Sequence, residues 1–226
     1  MDGYKVHTTD INNIGLLQLV AATKKKVFLS TGGCQMAEID RAVEILSNSP
    51  LTLMYGFQAE PTEMEDNNLG RVATLKNKYD KPIGFQDHSA GDSESALYLP
   101  FVALGTGVEV IEKHLTLSRA AEIEDYISAL TPEEFKKWAL LIRTIYKALG
   151  KCEWELTEKE KLYRGKVRRA VCAMRDIGVG ETLKENDLAL KRTDNQNVVF
   201  DLAEAVGRTA ARPVKRNSAI EKGDMK

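Results

Sequence analysis

The chain has 226 residues, 43% hydrophobic and 29% charged, with 32 Lys and Arg against 33 Asp and Glu. A formal charge of −1 gives no electrostatic reason to expect nucleic acid or an anionic membrane surface as a partner. No apolar run reaches 18 residues and no basic-apolar leader opens the chain, so neither a membrane span nor export by a signal peptide is expected.

Read in order, the first 150 residues predict repeated strand–helix units. Strands are expected over Tyr4–Thr8, Lys26–Thr31, Leu51–Phe57, Pro82–His88 and Val108–His114. The helices between and after them are expected over Ile11–Ala22, Gln35–Ser47, Glu65–Tyr79, Asp92–Leu104 and Pro132–Leu149. Leu16, Leu17 and Val20, and again Ile39, Val43 and Leu46, follow the 3.6-residue period. Thr131-Pro132-Glu133-Glu134 reads as a helix start, with Pro in the first turn and acids at the positive end of the dipole. Strands beginning about 20 to 30 residues apart fit βαβ crossovers, and their short apolar character fits a parallel sheet covered on both faces. A closed barrel of this kind needs eight such units. The five read here imply either an open sheet or the later part of a barrel.

Residues 151–165 are charge-dense and weakly periodic, and read as a linker. Residues 166–226 read as a small β-rich module. Its strands fall over Arg168–Met174 and Leu188–Arg192, with turn glycines at Gly178 and Gly180, a helical turn near Lys184–Leu188, and a short helix over Asp201–Val206 ended by Gly207. A module of this size has a small core of its own. Residues 151–226 carry 17 Lys and Arg against 13 Asp and Glu, which leaves the body before them acidic. A solvated charged surface and a site for anionic ligands both account for that asymmetry.

Cys34, Cys152 and Cys172 are widely spaced and odd in number, so no zinc knuckle or disulfide framework is implied and a reducing cytoplasm suits them.

The chemistry gathers at two strand ends. Pro82–His88 and Val108–His114 both finish on histidine, and the C-terminal ends of parallel strands line the active face of α/β folds. Two imidazoles at neighbouring strand ends suit a metal or catalytic centre; each alone could equally cap its strand and hydrogen-bond locally. Glu112 shares the parity of His114 and points the same way, whereas Asp87 and Lys113 have the opposite parity and face the helices.

The segments Lys5-Val6-His7-Thr8, Leu29-Ser30-Thr31-Gly32, Glu60-Pro61-Thr62 with Glu65-Asp66, Gly84-Phe85-Gln86-Asp87-His88-Ser89 and Ile111-Glu112-Lys113-His114 occur in the order and spacing seen in sialic acid synthases. The stretch Ala173–Glu181, with Leu190-Lys191-Arg192 and Val206-Gly207-Arg208, resembles their antifreeze-like (SAF) domain. The resemblance implies a (β/α)8 TIM barrel of which this chain carries strands four to eight, followed by the SAF domain. It also implies the activity. Phosphoenolpyruvate would condense with an N-acetylated amino sugar, N-acetylmannosamine or a relative, to give a nonulosonic acid with release of phosphate.

By the same resemblance His88 and His114 are the ligands of a divalent ion, Mn2+ by preference, with Mg2+ or Co2+ as substitutes. Glu112 is the acid beside the reacting sugar, as general acid/base or as a hydrogen-bond acceptor behind the ion. Lys5, Thr8 and Ser30 hold the phosphate and carboxylate of phosphoenolpyruvate, and Lys5 serves as a point charge. Gln86 stands where the family commonly has Ser, Glu60 where it commonly has Tyr, and Glu124-Asp125-Tyr126 where it has a Gly-Pro-Asp-His-like stretch. These departures bear on which sugar is bound. Arg192 matches an arginine near the sugar, carried by a SAF domain that reaches over the barrel mouth of the other subunit in a domain-swapped homodimer.

Two other readings compete. Five barrel units expose sheet edges, so the chain could be a catalytically incompetent fragment acting as a binding or assembly module. An unrelated aldolase-type barrel would use a Schiff-base lysine, against which the SAF-like tail argues.

Overall fold

Short β-branched and apolar runs, separated by helices, assemble into one parallel sheet with its helices packed alongside. The computed structural model describes residues 1–195 and 197–226, in two compact units, Met1–Lys151 and Cys152–Lys226. In the first unit the order is β1 (Gly3–Val6), α1 (Ile14–Ala22), β2 (Lys26–Ser30), α2 (Met36–Ile45), β3 (Leu51–Tyr55), α3 (Arg71–Tyr79), β4 (Ile83–Asp87), α4 (Ser95–Gly105), β5 (Val110–Leu115), β6 (Ala129–Leu130) and α5 (Pro132–Tyr146). The strands lie in sequence order, β1 to β6, all parallel. Each strand beside its sequence neighbour is barrel winding; a doubly wound sheet reverses its order at a switch point. The fold is therefore a partial TIM barrel, as the resemblance implied.

All five residues of β3 and all five of β4 are buried, the signature of strands covered on both faces. The main core lies between the sheet and its helices. Leu29, Leu53, Ile83 and Phe85 meet Leu17 and Val20 of α1, Ile39 and Ala42 of α2, Val72 and Leu75 of α3, and Leu99 of α4 in one cluster. Helix starts follow from their caps. Asn13 accepts from the Leu16 amide, and Thr131 and Glu134 form a reciprocal capping box beside Pro132.

Three expectations change. A sixth strand, β6, extends the sheet beside His114 and Leu115; two residues give no periodic signal in sequence. The predicted helix over Glu65–Tyr79 begins only at Arg71, because Asn68 takes a left-handed φ of 44° after a 3-10 turn over Glu65–Asn67. The expected linker 151–165 is partly helical: α6 runs Glu158–Val167. Its apolar residues make no stripe, and what starts it is local, a Thr157–Glu160 capping box and a Glu158–Lys161 pair.

The second unit continues with β7 (Arg169–Ala173), β8 (Leu188–Arg192) and α7 (Leu202–Ala205). β7 and β8 pair antiparallel, with Ala173 opposite Leu188 and Arg169 opposite Arg192. Val171, Ile177, Leu183, Val199 and Ile220 form its core. Among the described residues no helix is long and apolar enough to cross a membrane.

Candidate active site

The ends of β4 and β5 set the site. His88 and His114 bring their Nε2 atoms to 3.1 Å, with ring centroids 4.8 Å apart and planes crossing at 72°. The His88 backbone carbonyl is held by the Thr62 amide at 2.9 Å and by the Ser128 hydroxyl at 2.8 Å, so the turn carrying the ring is fixed from two sides. Burial, then the neighbouring His114, pushes the His88 pKa down. On its far side His114 Nδ1 lies 3.5 Å from Asp125 Oδ2.

Lys5 of β1 pairs with Glu112 of β5, and Gln86 Nε2 donates to the same Glu112 Oε1 at 3.1 Å. A cavity of about 270 Å³ opens here, lined by Lys5, His7, Gln58, Glu60, His88, Glu112, His114 and Asp125. Of the residues expected from sequence, Lys5, His88, Glu112 and His114 meet at this cavity. Gln86 lies behind Glu112, and both it and Ser30 are fully buried. Gln86 Oε1 and Ser30 Oγ find no hydrogen-bond partner among the described residues. Thr8 is turned elsewhere, donating to the Gly32 carbonyl at 2.7 Å and lying 3.5 Å from Cys34 Sγ. Arg192 is exposed on β8 of the second unit.

Sequence reasoning missed His7 and Gln58 as lining residues and singled out Glu60 and Asp125 only as departures. His7 had a signal, since it stands two residues after Lys5 and shares its side of the chain. Gln58 and Glu60 sit in the irregular segment after β3, where no periodicity assigns a direction. The parity argument at the strand ends holds: Asp87 and Lys113 face away from the cavity and are buried together. Burial pushes the Lys113 pKa down, while Asp87 beside it opposes that shift.

Among the described residues no group of three or more His, Cys, Asp and Glu side chains is arranged to hold a metal ion. The two histidines nonetheless fit as a pair of ligands. Adjacent donors of an octahedral divalent ion at about 2.1 Å stand about 3 Å apart, close to the separation found between the two Nε2 atoms.

Residues 1–153 match the NeuB family and residues 168–225 match the SAF domain. This chain belongs to the NeuB family. The NeuB-matching segment covers the first unit and its last two residues enter the second, within which the SAF-matching segment falls. The chain is 35% identical over 192 residues to the uncharacterized protein MJ1065 of Methanocaldococcus jannaschii, covering 84% of this chain and 56% of that one. It is 29% identical over 222 residues to the N,N'-diacetyllegionaminic acid synthase of Campylobacter jejuni, covering 96% of this chain and 65% of the synthase. Among solved structures, the N-acetylneuraminic acid (sialic acid) synthetase of Leptospira borgpetersenii, crystallised with citrate, superposes with a TM-score of 0.67. It is 34% identical to this chain, covering 74% of this chain and 59% of the synthetase. The chain spans little more than half to about two thirds of the length of these NeuB relatives.

Proposed function

We propose that this chain carries the reacting end of a sialic-acid-type synthase, which joins phosphoenolpyruvate to an N-acetylated amino sugar with uptake of water and releases phosphate. The observation that carries the reading is the convergence of His88 and His114 at 3.1 Å beside the Lys5–Glu112 pair. A divalent ion, Mn2+ by preference, would be held by the two imidazoles and would polarise the sugar aldehyde as a Lewis acid.

The chain's own residues supply the rest. Lys5 is a point charge for the phosphate or carboxylate of phosphoenolpyruvate, drawn off Glu112 when the anion arrives. Glu112, freed from Lys5 and steadied by Gln86, handles the proton at the attacked carbonyl oxygen. Ser30, with an uncommitted hydroxyl but no exposed surface, donates to a substrate oxygen once the turn after β2 uncovers it. Thr8, already donating to a carbonyl, acts by holding the turn after β2. Arg192 binds the sugar's acyl or hydroxyl oxygens, delivered by the SAF unit of a twin chain in a homodimer. The cavity's three carboxylates and three imidazoles suit a hydroxyl-rich sugar, with N-acetylmannosamine or a related N-acetylated sugar as the acceptor.

The test is phosphate release from phosphoenolpyruvate with Mn2+ and a panel of N-acetylated amino sugars. Activity that disappears in His88→Ala and His114→Ala supports the reading, and full activity in His114→Ala rejects the role of the histidines. A folded chain that releases no phosphate with any sugar of the panel supports a second reading, a non-catalytic assembly module.

A further inference from the structure

Behind the two histidines lies a second cluster to which the reading above gives no task. The β4–β5 ladder ends at the pair Asp87–Lys113, one position before each histidine, and alternation sends these two side chains to the opposite face. Both are wholly removed from solvent, with Lys113 Nζ 3.2 Å from Asp87 Oδ1. Lys113 also donates to the Ser89 carbonyl at 2.6 Å and to Ser89 Oγ at 3.2 Å. Asp87 Oδ1 in turn accepts from the Ser89 amide at 2.9 Å and from the Ser89 hydroxyl at 2.6 Å.

The three residues thus flank both imidazoles. Asp87 and Ser89 stand on either side of His88, and Lys113 immediately precedes His114. The Lys113 side chain crosses to the Ser89 carbonyl and so ties the two strand ends together two residues beyond the last backbone rung. Stability alone is a weak reason for such an arrangement. A buried ion pair loses most of the solvation of each ion, and apolar residues of similar volume often serve as well. Asp87 Oδ2 is moreover left without a hydrogen-bond partner among the described residues, while every contact converges on the turn that holds His88.

We propose that Lys113, Asp87 and Ser89 are positioning residues that set the separation and facing of the His88 and His114 rings. They act through the strand-end backbone and touch neither substrate nor ion. The inference rests on the reading of the two histidines as an ion-holding pair.

The test uses the full chain and Mn2+ alone, with free Mn2+ followed by its electron paramagnetic resonance signal. Asp87→Leu with Lys113→Met removes both buried charges at similar volume, and circular dichroism and thermal melting report its fold. Expected are Mn2+ binding by the parent, none by His88→Ala or His114→Ala, and about 10- to 100-fold weaker binding by the double variant. Ser89→Ala, which deletes one hydroxyl and serves alone should the double variant not fold, is expected to weaken binding by a smaller factor. A folded variant that binds Mn2+ as tightly as the parent overturns the proposal while leaving the ion reading intact. A parent that binds no Mn2+ rejects the ion reading instead. Crystal structures then decide: rings still within about 0.5 Å of the parent separation in Ser89→Ala and the double variant overturn the positioning role, and parted rings sustain it.

Discussion

Lys5 and Glu112 form an ion pair although they stand on the first and fifth strands of one sheet, 107 residues apart in sequence. Neighbouring strands lie about 4.8 Å apart, so a flat sheet would separate these two backbones by about 19 Å, beyond the reach of the two side chains. The contact therefore requires the sheet to curl until β1 faces β5, which is the arc of a barrel. Because Glu112 also takes the Gln86 bond, removing either partner has a distinct effect. Lys5→Met is expected to raise the KM for phosphoenolpyruvate at least about tenfold, with a smaller change in kcat. Glu112→Gln is expected to lower kcat by about 10²- to 10⁴-fold. Steady-state phosphate release separates the two, and equal effects on KM and kcat in both variants would contradict the assignment.

Gly32 is required for closeness. A Cβ built there would stand 1.9 Å from the Gly56 carbonyl oxygen, a backbone atom that cannot swing aside. Gly32→Ala is expected to part the turns after β2 and β3 and to destabilise the first unit by about 1–3 kcal/mol, as an overpacked site does. Urea unfolding checks this; a midpoint equal to the parent's would show that the two turns separate freely.

Acid should weaken the anchor between the segment after β5 and the start of α5. Arg119 grips Glu134 with two bonds of 2.5 and 2.8 Å and reaches the Ala129 carbonyl as well. The Arg119 guanidinium holds the Glu134 carboxyl at a pKa of about 2, below the usual carboxylate value. A depressed folded-state pKa means the contribution is complete above about pH 4.5 and is lost as pH falls toward 2. The Glu134 side chain keeps 39% of its exposure, so solvent screening limits the contribution to about 1 kcal/mol or less. Melting temperature against pH should show the parent losing about 1–4 °C more than Glu134→Gln across that window. Parallel curves would mean the pair adds nothing.

The capping box at the start of α6 predicts a local loss. Thr157 accepts from the Glu160 amide and Glu160 accepts from the Thr157 amide. Thr157→Ala should cost that helix about 1 kcal/mol. Because α6 buries none of its residues, amide exchange in its first turn should quicken about fivefold without moving the global melt. Unchanged exchange there would show that the box is not what starts the helix.

Much of this was legible in the chain alone. Apolar runs of six or seven residues at crossover spacing placed β2 to β5 to within two residues at each end, and alternation told which way Glu112, His114, Asp87 and Lys113 point. Both are local properties of an extended backbone, which turns each successive side chain to the opposite face wherever the strand lies. The same logic did not reach β6, where two residues have no period, nor α6, whose cap is local and whose faces are unsorted.

What the tertiary structure alone decided is distance across the sheet. Sequence placed two imidazoles at neighbouring strand ends; only the β4–β5 register and the bonds from Thr62 and Ser128 bring their nitrogens to 3.1 Å. Sequence offered Thr8 and Ser30 alike as hydroxyl donors; the fold commits the first to Gly32 and leaves the second without a partner among the described residues. Gln58 and Glu60 join the cavity because the Thr62 hydroxyl bonds back to the Phe57 and Ala59 carbonyls and folds that segment toward His88. Such contacts depend on the curl of the sheet and on bonds between segments far apart in the chain, and no pattern along one strand encodes them.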